Sequence, residues 1–131
     1  MHSYIPFTIN QKRILVIEDD LDSSLFYKIT LKDAGFYVDV YNDPLEALAK
    51  FRPNLYDLLL IDIRMPRLNG FKLFQKLRKK DLKFKVCFMT AFELYYEAMV
   101  EKYPSLRNIC FIRKPISAND LIESVQNVLL R

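Results

Sequence analysis

The chain has 131 residues, enough for one domain that buries roughly two-thirds of its unfolded surface and needs no disulfide or metal staple to fold. A composition of 51% hydrophobic and 27% charged residues excludes disorder, and a net charge of +4 does not by itself point to nucleic acid. No apolar run approaches the ~18 residues of a transmembrane helix, and Met1–Asn10 holds no apolar core long enough for a signal peptide, so the expectation is a cytoplasmic protein with no membrane partner.

There are only 2 glycines, which argues against a glycine-rich phosphate loop, and the single histidine, His2, argues against histidine-based catalysis. Cys87 and Cys110 lack metal-ligand spacing and are expected to be buried small hydrophobes in a reducing compartment.

Residues 1–11 form a short polar extension, and one domain over residues 12–131 follows. Apolar, β-branched or aromatic runs predict strands over Arg13–Glu18, Phe36–Tyr41, Tyr56–Asp62, Lys85–Thr90 and Ile109–Arg113. Ile14–Ile17 and Leu58–Ile61 are continuously apolar, as parallel strands covered on both faces must be. Helical periodicity fills the gaps. Leu21–Ala34 follows an N-cap at Asp20 or Asp22 and ends at Gly35, a left-handed C-cap. Pro44–Arg52 starts after Asp43, with proline at the first helical position. Asn69–Lys80 and Glu93–Tyr103 come next, and a last helix starts at Ser117, with Asp120 in the place of the capping-box Glu. Strict βα alternation means a doubly wound α/β fold: a five-stranded parallel sheet with five helices on its two faces.

Ligands of such sheets bind beyond the carboxyl ends of the strands. The first strand ends in Glu18-Asp19-Asp20, the third in Asp62, the fourth in Thr90-Ala91 and the fifth in Lys114-Pro115. Crowded carboxylates need a cation, and oxygen-only ligation selects a hard divalent ion, Mg²⁺. A hydroxyl and an ammonium beside it suit the oxygens of a phosphoryl group, and a central carboxylate can itself be the nucleophile.

These motifs, Ile17-Glu18-Asp19-Asp20, Asp62-Ile63-Arg64-Met65-Pro66 with Gly70, Met89-Thr90-Ala91 and Lys114-Pro115-Ile116, make the chain resemble a response-regulator receiver domain of two-component signalling over roughly residues 12–131. The resemblance implies a flavodoxin-like sheet of strand order 2-1-3-4-5. It implies phosphorylation of Asp62 by a sensor histidine kinase, a phosphotransfer protein or a small phosphodonor. Asp19, Asp62 and the Arg64 backbone carbonyl would hold Mg²⁺, with Glu18 helping through water. Thr90 would bond the phosphoryl oxygen, Lys114 would pair with its charge, and Phe111 would be the switch aromatic. The Lys114-Pro115 bond would be cis. Output would pass to a downstream protein partner through the surface of the fourth helix, fifth strand and fifth helix, with Tyr95, Tyr96 and Phe111 as exposed anchors. A homodimer on phosphorylation fits the same picture, and no enzymatic turnover beyond slow autodephosphorylation is implied. Arg64 and Phe92, two residues after Asp62 and Thr90, would tune the lifetime of the phosphoryl group; neither orients an attacking water well.

The chain departs from the family pattern at Arg107 and Asn108, where Gly-Ala is frequent, and in an aromatic stretch between Thr90 and Lys114. Other readings were weighed. A pseudo-receiver scaffold would usually have lost an acid, the Thr or the Lys. An FMN binder would need a Ser/Thr/Gly loop where Glu18-Asp19-Asp20 would repel phosphate. An aspartate-nucleophile phosphatase would want an acid at Arg64. The basic run Lys72–Lys85 reads as a solvated helix face, with no nucleic-acid partner. The chain could also be the N-terminal piece of a larger regulator.

Overall fold

The structure is a computed structural model that describes residues 11–91, 100–104 and 109–131. Five strands, β1 (Arg13–Ile17), β2 (Tyr37–Tyr41), β3 (Leu58–Asp62), β4 (Lys85–Thr90) and β5 (Cys110–Arg113), form one parallel sheet in the order 2-1-3-4-5. Among the described residues the helices are α1 (Leu21–Asp33), α2 (Pro44–Lys50), α3 (Gly70–Arg78) and α4 (Ala118–Leu129), the last being the fifth in the predicted order. Residues 100–102 are helical and belong to the predicted fourth helix, which stops one residue short of the expected Tyr103; the part before residue 100 lies outside the described residues.

Alternation along each strand builds two cores from one sheet. Leu15, Ile17, Leu59, Ile61 and Phe88 face α2 and α3, meeting Ala47, Phe71, Phe74 and Leu77. Ile14, Val16, Leu58, Leu60 and Met89 face α1 and α4, meeting Tyr27, Leu31, Leu121 and Val125. This is why β3 is buried at every position and needs an unbroken apolar run.

The ends of the elements follow local chemistry. Asp20, not Asp22, caps α1, its side chain accepting from the Ser23 amide at 2.9 Å, and Gly35 takes a left-handed φ of 102° beyond it. Asp43 caps α2 through the Leu45 amide at 3.0 Å. This helix stops at Lys50, short of the expected Arg52. Phe51 turns extended and buries its ring, and the residue before Pro53 disfavours helix. Asn69 caps α3 from outside, and the helix ends at Arg78 instead of Lys80. The chain turns there because buried Asp81 accepts from the amides of Lys83 and Asn54, both at 2.8 Å. Ser117 caps α4 by accepting from the Asp120 amide at 3.1 Å. The strands are shorter than expected by the flanking Glu18, Phe36, Tyr56-Asp57 and Ile109. Phe36, for one, donates its amide to Leu31 O to close α1 (3.1 Å) and so stands outside the ladder.

Both cysteines are free. Cys87 is buried as expected, but Cys110 is only partly buried, because β5 lies at the edge of the sheet.

The central strand sets the stability. Leu60→Ala, in a fully buried site of β3, should cost about 2–5 kcal/mol in urea denaturation, whereas Leu82→Ala, at 81% exposure, should stay within about 0.5 kcal/mol of the parent.

Candidate functional site

The carboxyl ends of β1, β3, β4 and β5 converge as the strand-end reading requires. Glu18 follows β1 with its side chain buried, and Asp62 closes β3, also buried. With the more open Asp19, they bring one carboxylate oxygen each to within 4.8 Å of one another. The Lys114 ammonium enters from beyond β5, pairs with Glu18 Oε1 and lies 3.5 Å from Asp62 Oδ1. Its backbone amide donates to Thr90 O at 2.8 Å, and the Ile63 amide donates to Met89 O at 2.9 Å, so the exits of β3, β4 and β5 are tied at one level. Thr90 is buried at the end of β4. Arg64 stands exposed two residues beyond Asp62. Phe92 lies outside the described residues, as do Tyr95, Tyr96, Arg107 and Asn108. The Lys114-Pro115 peptide is cis.

Phe111 is a partial correction to the expected exposed anchor. It is only half-exposed, and its ring stacks on Phe88 at 5.7 Å and meets Phe71 edge-on at 6.3 Å. Tyr103 lies against Phe71 at 5.5 Å, so this side of the sheet end is an aromatic cluster.

Two positioning residues were not assigned a role from sequence. Asn42, just after β2, donates from Nδ2 to Glu18 O at 2.8 Å and to Ser24 Oγ at 2.9 Å, pinning the β1–α1 junction. The strand-end rule would have found it had it been applied to β2. Gly70 starts α3 against the back of the site: a Cβ there would stand 2.3 Å from Asp62 O. Only glycine permits that approach, and the Gly70 amide uses it to donate to Ile63 O at 2.8 Å. Across the mouth, Arg67 pairs with Asp43 at 2.8 Å.

The electrostatics are those of like charges held out of water. Burial raises the Glu18 carboxyl to about 7, against the pull of Lys114. Burial raises Asp62 as well, and Asp19 adds to this while Lys114 opposes it. Burial works against the Lys114 ammonium, but the carboxylates of Glu18 and Asp62 outweigh it and hold its pKa above the usual lysine value. Three carboxylates against one ammonium leave net negative charge among oxygen donors alone, the donor set of a hard divalent cation.

The chain belongs to the response regulator receiver domain family, whose model matches residues 14–126. It is 29% identical over 119 residues to the response regulator receiver protein CpdR of Brucella abortus, covering 91% of this chain and 98% of that protein. It is 30% identical over 119 residues to the transcriptional regulatory protein RprY of Bacteroides fragilis, of which it spans 50% of the length. The non-phosphorylated HemR receiver domain of Leptospira biflexa superposes with a TM-score of 0.80 at 29% identity, covering 91% of this chain and 94% of that one. The five-stranded order 2-1-3-4-5 is the receiver fold expected from the sequence.

Glu18 holds its proton more tightly folded than unfolded, so the folded state loses stability as pH rises from about 4.5 through about 7. In metal-free buffer, urea melts across that window should show a decline to which Glu18 contributes on the order of 1–3 kcal/mol, and Glu18→Gln should remove that share.

Proposed function

We propose that this domain is a phosphorylation-driven switch with Asp62 as the acceptor. An Asp62 carboxylate oxygen attacks the phosphorus of a phosphohistidine on a kinase or phosphotransfer protein, or of a small acyl phosphate. The oxygen–phosphorus bond forms as the bond to the donor breaks, and the donor leaves with the electron pair. The observation that carries this reading is the convergence on Asp62 of Asp19, Glu18 and the Lys114 ammonium, with Thr90 closing the neighbouring strand.

Asp19, Asp62 and the Arg64 carbonyl would hold Mg²⁺, with Glu18 acting through water; the ion would neutralise the carboxylates and the incoming phosphoryl oxygens. Support for that ranking comes from Glu18 itself, whose Oε1 is taken by Lys114 and whose Oε2 accepts from the Asp20 amide at 3.2 Å. Lys114 follows the new charge, Thr90 donates its hydroxyl to a phosphoryl oxygen, and Phe111 repacks in the aromatic cluster beside it. The change is read by a downstream protein, or by a second phosphorylated copy, on the surface of the predicted fourth helix, β5 and α4. A constitutive scaffold is the less economical reading, because it leaves the complete acid–hydroxyl–lysine set without a use.

Incubation with acetyl phosphate and Mg²⁺ should add a single phosphoryl group by intact mass, with none added to Asp62→Asn. Asp19→Ala should weaken the Mg²⁺ dependence more than Glu18→Ala. Uptake that persists in Asp62→Asn would overturn the assignment.

The phosphoryl state should be long-lived. Arg64 offers only donors and Phe92 no polar atom, so neither prepares a water for in-line attack, and Arg64 can hold phosphoryl oxygens by charge-assisted bonds. Phe92→Glu and Arg64→Asn should each speed decay of the phosphorylated protein, by up to about a hundredfold for the introduced carboxylate. Equal decay rates in parent and variants would count against shielding.

A further inference from the structure

At the opposite end of the sheet from the carboxylates, the surface around the α3–β4 turn is predominantly basic, and the partly exposed Asp57 before β3 is paired with Lys12 at 3.9 Å. Between Lys72 and Lys85 the sole acid is Asp81, and it is buried with both oxygens given to backbone amides. Some lysines at this end have structural work: Lys80 donates to Leu48 O at 3.2 Å, and Lys85 to the α4 carbonyls of Val128 at 3.0 Å and Arg131 at 2.6 Å. Lys76, Lys79 and Lys83 are exposed and have no carboxylate partner among the described residues. Lys76 and Lys79 lie three residues apart on α3 and its C-cap, a spacing at which like charges repel. The fold bears that cost without an internal gain.

Apolar side chains project from the same end. Leu82, in the α3–β4 turn, is 81% exposed, and Leu130, at the end of α4, is 66% exposed. The Lys85 ammonium bridges the two elements and keeps both leucines at one end of the sheet.

We propose that this basic end docks on an anionic lipid bilayer, the lysines lying against the headgroups and Leu82 and Leu130 entering the interface, with the carboxylate site turned toward the water. Stable surface attachment needs two signals, and a cationic patch with adjoining apolar side chains supplies both. Nucleic acid fits less well. The rings of Phe74 and Phe84 are buried, with the Arg78 guanidinium laid over them, and exposed leucines gain nothing from a phosphate backbone. No helix among the described residues is long and apolar enough to cross a membrane, so the contact is peripheral. It revises the expectation of no membrane partner, which rested on spanning segments alone.

The test is sedimentation of the full chain with phosphatidylcholine vesicles containing about one-third phosphatidylglycerol, against pure phosphatidylcholine. Binding should appear with the anionic vesicles alone and vanish in high salt. Lys79→Glu with Lys83→Glu should weaken it at least about tenfold. Leu82→Ser with Leu130→Ser should weaken it while leaving the salt dependence in place. Unchanged circular dichroism melts and unchanged Asp62 phosphorylation would show that both variants keep the fold and the switch. Absence of binding at low salt, or indifference to the lysine pair, would overturn the proposal. Binding to duplex DNA as tight as to vesicles, insensitive to the leucine pair, would assign the surface to nucleic acid instead.

Discussion

The Lys114 ammonium among the buried carboxylates is the constraint around which the rest of the molecule is arranged. Glu18 and Asp62 are held at the end of an apolar sheet, where ionised carboxylates are costly, and Lys114 pairs with both. Its position depends on β5 being in register with β4, because its own amide is fixed to Thr90 O. Register in turn rests on the two cores that sandwich the sheet. Packing of plain hydrocarbon is thus what sets the distance between charges that would otherwise separate.

The compensation by Lys114 is partial, and that incompleteness is useful. A fully neutralised cluster would be a structural salt bridge with no appetite for a ligand. Net negative charge among oxygen atoms, with one ammonium alongside, favours a divalent ion and can rearrange when further anionic oxygen arrives. The aromatic packing of Phe111 on Phe88 and Phe71 lies two residues along from the Thr90 level of the sheet, so rearrangement at the site has a short path to the sheet's edge.

Much of this was legible in the sequence because parallel strands announce themselves as apolar runs, and each run ends in the residue it delivers to the site. Asp62 and Thr90 needed no more than that. Cap chemistry likewise located Asp43 and Ser117 and narrowed the first cap to Asp20 or Asp22, since a short polar side chain before a periodic stretch has few other uses. What stayed hidden were effects without local period. The pairing of Lys114 with Glu18 joins residues 96 apart. Gly70 owes its identity to the carbonyl of a residue on another element. The early stop of α2 reflects Phe51 turning into the core, a gain that helical periodicity does not register. The half-exposure of Cys110 and the inward packing of Phe111 both follow from which strand closes the sheet, which composition does not reveal.

The contact of Lys85 with the last carbonyls of α4 has a consequence for how the chain folds. One ammonium at the first residue of β4 donates to the end of a helix more than 40 residues later, its Nζ bonding to Val128 O at 3.0 Å across a separation of 43 and to Arg131 O, just past the helix, at 2.6 Å across 46. Helix carbonyls at a C-terminus otherwise depend on water or a glycine cap, and the cap residue of α4 is Leu130. The helix is therefore completed by the sheet, and the sheet edge is covered by the helix. Such reciprocal dependence between distant segments makes partial structures poor in stabilising contacts, so the C-terminal third should melt together with the central strands as one cooperative unit.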